Sequence, residues 1–195
     1  MSQENKVVFL KGKKVILRPL SKADIPTLLR WINDPEVNQY VATYWPVMEQ
    51  REEKWLESLA KEDNDSHVVF GIETHEGVFI GTMGFNFIQW KDRVAVTGAL
   101  IGEKEYWGKG YGTDAKMILL EYAFNTLNMH KVCSAAIAFN ERSIRYSLRC
   151  GYKIEGRLRK HHFRKGRYFD QVMLAIFKQD WLKVWRRYQK TGKVR

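Results

Sequence analysis

The sequence predicts one α/β domain on a mixed central sheet, and three observations predict it. Strand-like and helix-like segments interleave along the chain. Two apolar runs around a His75-Glu-Gly77 turn form a hairpin, so the front half of the sheet is antiparallel. A third strand then runs into a glycine-rich turn and a helix near residue 106. With 195 residues, 45% apolar and 28% charged, the chain can bury a core without staples. We read residues 1–195 as one domain, with the motif-bearing core at about 14–177 and a basic helix at about 179–190.

Residues 15–18 read as a first strand, and Ser21 with Asp24 matches a capping box. Ile25, Leu28, Leu29 and Ile32 then fall on one helical face, and Asp34-Pro35 stops that helix. A second helix is predicted over 49–61, where Trp55, Leu56 and Leu59 line up. Residues 68–74 and 78–90 form the hairpin, and 94–101 is the next strand. The helix after the glycine turn carries Ala115, Ile118, Leu119, Tyr122 and Ala123 on one side. A strand over 131–138, a helix over 140–149, a strand over 168–177 and a last helix from about 179 complete the order.

The net charge of +11 is unevenly placed. Residues 1–152 hold 19 basic and 19 acidic side chains, whereas the last 43 residues hold 14 basic and 3 acidic ones. Aromatic residues (Phe163, Tyr168, Trp181, Trp185, Tyr188) interleave that basic segment. It is read either as a polyanion-binding surface, for RNA or the ribosome, or as a solvated face complementary to cofactor phosphates. Two cysteines are too few for a disulfide framework and fit a reducing cytosol. No apolar stretch approaches ~20 residues and the first residues lack a signal-peptide core, so a cytoplasmic location without membrane contact is expected.

Residues 106–113 read Tyr-Trp-Gly-Lys-Gly-Tyr-Gly-Thr. A strand, a glycine-rich turn and a helix start make an anion site, because backbone N–H groups are unpaired there and the helix dipole is positive. Glycine at 108, 110 and 112 lets the backbone approach an oxyanion. The spacing does not match a P-loop, since the hydroxyl arrives only at Thr113. It does not match the dinucleotide fingerprint either, which needs glycine where Thr113 stands.

The run Trp107-Gly-Lys-Gly-Tyr-Gly112 resembles the acyl-CoA loop of the GNAT superfamily of N-acetyltransferases, with Trp107 where Arg or Gln is usual. Residues 140–152 resemble that superfamily's Asn-x-x-Ser/Ala…Gly-Tyr helix. Residues 17–24 and 31–37 resemble the opening of its Rim-type branch, which holds ribosomal-protein N-acetyltransferases. The resemblance implies an acyl-CoA N-acyltransferase fold whose sheet splays in the middle, with acetyl-CoA as cosubstrate and no metal. It implies cofactor contacts from Gly108, Lys109, Gly110, Tyr111, Gly112, Thr113 and Asn140, and from the backbone near Leu100 and Ile101.

For the acid that protonates the leaving thiolate, counting seven residues from Asn140 gives Ser147, while its neighbour Tyr146 has the more suitable pKa. Adjacent helical residues point about 100° apart, so one of the two faces the cofactor. The Rim-type pattern often carries Glu as base in the strand before the loop; here Val96 stands there, leaving Glu73, Glu103 and Glu105 as substitutes. His161 and His162 face opposite sides of a strand and do not chelate together. Without that Glu, a weakly basic acceptor is favoured. An α-amine is roughly a quarter neutral at pH 7.4, and a lysine amine about one part in a thousand, a gap of roughly 3.5 kcal/mol. The leading reading is transfer of acetyl from acetyl-CoA to a protein N-terminus. A polyamine or aminoglycoside acetyltransferase and a non-catalytic acetyl-CoA-responsive RNA-binding module are the alternatives, and a homodimer is compatible with each.

Overall fold

The computed structural model describes residues 7–41, 43–61 and 65–194. Eight strands form one sheet in the order β1-β2-β3-β4-β5-β6-β8-β7. They are β1 (Leu10–Lys11), β2 (Val15–Pro19), β3 (Val68–Thr74), β4 (Phe79–Gln89), β5 (Val94–Ile101), β6 (Lys131–Ile137), β7 (Lys153–Arg164) and β8 (Arg167–Phe177). Only β5 and β6 pair in parallel, and every other neighbour is antiparallel. The helices are α1 (Ile25–Ile32), α2 (Pro35–Asn38), α3 (Glu49–Leu59), α4 (Tyr111–Glu121), α5 (Glu141–Arg149) and α6 (Lys178–Thr191).

Strand alternation sends side chains to two cores. On one face, Val15, Leu17, Ile72, Ile80, Phe85 and Ala95 pack with α4, whose residues from Asp114 to Leu120 are all buried. A helix apolar nearly all round is a central helix. On the other face Leu28, Trp31 and Val37 meet Trp55, Phe79, Leu100 and Trp107. There Arg18 donates to Glu73 (2.7 Å) and to both carboxylate oxygens of Asp24 (2.9 and 2.8 Å), joining β2, β3 and the turn before α1. The Ser21–Asp24 capping box is present.

Asp114, in the first turn of α4, accepts the backbone N–H groups of Lys13, Lys14 and Val15 at 3.1, 2.8 and 3.0 Å. It also accepts from the Tyr188 hydroxyl of α6. Gly12 is required here, since a Cβ would lie 2.3 Å from the Asp114 carboxylate.

Three sequence expectations change. Asp34-Pro35 does more than stop α1: Asp34 caps α2, with Pro35 at its first position, as suits a residue without an N–H. Residues 153–164, absent from the predicted order of elements although His161 and His162 are read there as strand neighbours, form β7. Trp181, Trp185 and Tyr188 stack in series from Phe124 and dock α6 on the core, so they are not offered to a nucleic acid. Phe163 and Tyr168, 55% and 62% exposed, stay at the surface of the β7–β8 hairpin. Among the described residues no helix is long and apolar enough to cross a membrane.

Candidate active site

The site begins where β5 and β6 part. Their pairing ends at Val96 and Cys133, while β5 continues to Ile101 and β6 to Ile137. Past that point the inner edge of β5 has no strand partner, and its peptide groups are left to an extended ligand. A cleft of about 700 Å³ fills the gap, lined by Leu100, Ile101, Gly108, Gly110, Gly112, Thr113, Asn140 and Tyr146, among others. Lys109, Tyr111 and Ser147 are not among its lining side chains.

At the loop, Gly108 and Gly110 have φ of +74° and +88°, the left-handed region that favours glycine. Gly112 differs. It lies inside α4, and a Cβ there would only touch Ile101 at an ordinary 3.6 Å. The chain's own packing therefore does not require glycine at 112, whereas a ligand backed against the helix start would. Gly110 caps α4, and the N–H groups of Tyr111, Gly112 and Thr113 have no intrahelical acceptor. These features fit a pyrophosphate.

Trp107 donates its indole N–H to the Ile101 carbonyl at 2.7 Å. Its ring carries the Arg142 guanidinium 3.8 Å from the centroid, so a cation from α5 covers the loop. Burial lowers the Arg142 pKa, which leaves it a strong but poorly solvated cation suited to an anionic partner. Asn140 caps α5, its side-chain oxygen accepting from Ser143 N–H at 3.1 Å.

Tyr146 and Ser147 separate as adjacent helical residues must. Tyr146 reaches the cleft, and burial, then the nearby Cys150 thiol, holds its phenol well above the usual value despite Ser147. Ser147 is 1% exposed, and its hydroxyl has no hydrogen-bond partner among the described residues. Of the two neighbours counted from Asn140, Tyr146 is the one that lines the gap. Burial pushes the Cys150 thiol up to about 12, against a smaller pull from Lys116, so it is no nucleophile at neutral pH.

Behind β5 lies a residue the sequence reading missed. Lys116 of α4 is 0% exposed, donates to Thr97 Oγ1 at 2.7 Å, and stands over the Tyr146 and Tyr152 rings at 5.9 and 5.7 Å. Burial lowers its pKa to about 8. A lone lysine within Ala115-Lys-Met-Ile-Leu-Leu120 was the available signal.

The far end of the cleft is walled by side chains. His67 and Trp55 come from before β3 and from α3, and Asn86 from a bulge in β4 between the pairs Phe85↔Thr97 and Phe87↔Val96. His162 of β7 bonds Gln171 of β8 at 2.6 Å. At the hairpin tip Arg164 donates to Val41 C=O (2.9 Å) and covers the Tyr44 ring, and Lys165 donates to Gln39 (3.0 Å). The substitute bases are elsewhere. Glu73 is bound to Arg18, Glu103 accepts from Arg30 and the Trp31 indole, Glu105 is exposed, and none lines the cleft. Among the described residues, no group of three or more His, Cys, Asp or Glu comes together as a metal site would require.

The profile of the acetyltransferase (GNAT) domain family matches residues 14–153, and the chain belongs to that family. It is 29% identical to the spermidine N(1)-acetyltransferase of Escherichia coli (strain K12), covering 86% of this chain and 88% of that one. It is 32% identical to YdaF, a putative ribosomal N-acetyltransferase of Bacillus subtilis (strain 168), over 57% of this chain and 62% of that one. Its fold matches spermidine N-acetyltransferase from Vibrio cholerae, in complex with CoA and spermine, with a TM-score of 0.80 and 23% identity over 86% and 98% of the two chains. The protein is an N-acetyltransferase that uses acetyl-CoA as cosubstrate, and the non-catalytic alternative gives way.

Proposed function

We propose that the chain acetylates a weakly basic primary amine, with a protein N-terminus as the leading acceptor, by direct attack on the acetyl-CoA thioester. The observation that carries this is the charge of the cleft. Its charged lining among the described residues is Arg142, Arg149 and Arg164, with two histidines and no carboxylate. A polyamine brings several positive charges and amines of high pKa, so it calls for carboxylates as counter-ions and as bases. The nearby acids on and before α2 are already engaged, Asp34 and Glu36 both binding Lys104. Of the acids at positions 62, 63 and 65, Glu62 and Asp63 lie outside the described residues.

In this reading Gly108, Gly110, Gly112 and Thr113, with the backbone of Lys109 and Tyr111, hold the pyrophosphate. Asn140 and Arg142 flank it, and the β5 backbone at Leu100 and Ile101 lies along the pantetheine. Tyr146 protonates the leaving thiolate, and Ser147 only packs beside it. The reaction belongs to the cytosol, where acetyl-CoA is available. The exposed basic face of the β7–β8 hairpin would be the contact to RNA or a ribosome, which loss of ribosome co-sedimentation on neutralising Arg157, Arg159 and Lys160 would test.

The second reading is acetylation of spermidine or a similar polyamine. The relatives named above favour it over the N-terminal acceptor. A panel assay decides: purified protein, acetyl-CoA, and either peptides with free N-termini or spermidine and spermine. Peptide turnover well above polyamine turnover is expected, and the reverse order would overturn the N-terminal reading.

A further inference from the structure

The amine attack needs somewhere to put a proton, and the strand position that carries Val96 cannot take it. We propose that His67 is the general base for the acceptor amine, reached through one water from the β3 side of the cleft. This rests on the amine-acetylation reading above.

The register brings His67 to the right row. Val68 pairs with Phe85 of β4, and Phe85 and Phe87 pair with Thr97 and Val96 of β5. Asn86 is the extra residue of the bulge, so extending the register by one position places His67, the residue before β3, in the row of Asn86 and Val96. The faces agree as well. Val68, Phe70 and Ile72 pack into the α4 core, which turns His67 and Val69 to the cleft. On β5, Ala95 enters the α4 core and Thr97 meets Lys116, so Val96 shares the face of His67. Two strand spacings, roughly 10 Å, separate the backbones of His67 and Val96. The imidazole and one water bridge much of that span.

The chemistry singles out the same residue. Among the described residues lining the cleft, the two imidazoles are His67 and His162, and His162 is bonded to Gln171. His67 makes no hydrogen bond among the described residues. Burial lowers its pKa, so it is the free base at pH 7. The charged groups facing the cleft from other elements, Arg142 and Arg149 of α5 and Arg164 of β7, are all cations. The carboxylates of α3 do not line the cleft. In the step itself the amine nitrogen bonds the thioester carbon and the C–S bond breaks. The ammonium proton passes through water to His67, and the thiolate takes a proton from Tyr146.

The test uses the full chain with the acceptor it turns over fastest. His67→Ala should lose on the order of 10²-fold in kcat at pH 7, with the KM for acetyl-CoA within about twofold. Added imidazole should restore part of the rate, and the deficit should shrink above the acceptor's own pKa. His67→Gln, which keeps the side-chain volume, should show the same deficit and the same pH trend. Wild-type turnover by either variant at pH 7 would overturn the assignment. So would a loss that neither imidazole nor high pH relieves, since that would mark a structural role. A wild-type protein that binds acetyl-CoA yet acetylates no amine would instead sink the functional reading itself.

Discussion

The two ends of the cleft are made of different material. The loop end is backbone: two left-handed glycines, three unpaired N–H groups and the free edge of β5, all within residues 97–113. The acceptor end is side chain, and it closes where Arg164 meets Val41, 123 residues away in sequence. In the proposed reading, the ligand common to the whole family is held by peptide groups, which every sequence has. The variable partner is met by side chains that can change without disturbing the loop. Substitutions at the first end should therefore act on acetyl-CoA, and those at the second on the choice of amine.

The hardest blow to the loop end is Gly112→Val. The fold should survive, because a Cβ there meets only Ile101. If two charge-assisted hydrogen bonds are lost, acetyl-CoA affinity falls on the order of 10³-fold, about 4 kcal/mol. A calorimetric titration showing unchanged affinity would remove the loop from the site. Gly110→Val should add backbone strain to the same loss, visible as a lower melting temperature.

Next in size is the support behind both ends. Lys116→Met should raise stability at pH 7 by about 3 kcal/mol, since a folded pKa near 8 against an ordinary 10.5 costs that much while the amine is protonated. The unfolded chain binds more protons between those values, so wild-type stability rises with pH across that window and the advantage of the variant fades. Denaturant curves at pH 7 and pH 10.5 check it, and a pH-independent difference would contradict the cause given.

Tyr146→Phe should lower kcat on the order of 10²-fold. Ser147→Ala should keep its turnover and match or slightly exceed wild-type stability, because it removes a buried hydroxyl with no partner. The opposite pattern would restore the count from Asn140. Smallest is Arg164→Ala, expected to change the acceptor KM by less than about tenfold with the KM for acetyl-CoA unmoved. Equal shifts in both would erase the distinction between the ends.

The same contrast explains what could be read in advance. The loop, its strand and helix, the α5 motif and the β3–β4 hairpin each sit in one stretch with a local signature, and each was legible. The strand β7 was not. It is an edge strand, charged and exposed along most of its length, so it lacks the alternation that marks a half-buried strand. Tyr146 against Ser147 turned on a single helical position, which spacing alone does not resolve. His67 and Asn86 carry no motif, and only sheet register and a bulge bring them to the row of Val96. Three aromatics of the C-terminal segment are read from sequence as available to a nucleic acid, whereas they stack with Phe124 and one another.

The bonds to Asp114 have a consequence for how the molecule comes into being. The helix that presents the loop is fastened on one side to residues 13–15 and on the other to Tyr188. During translation the first fastening can form early, but the second waits until Tyr188 has been synthesised. A nascent chain arrested before Tyr188 would hold the complete loop sequence without the clamp that orders its helix. Competence for acetyl-CoA should therefore not be acquired before Tyr188 has left the ribosome.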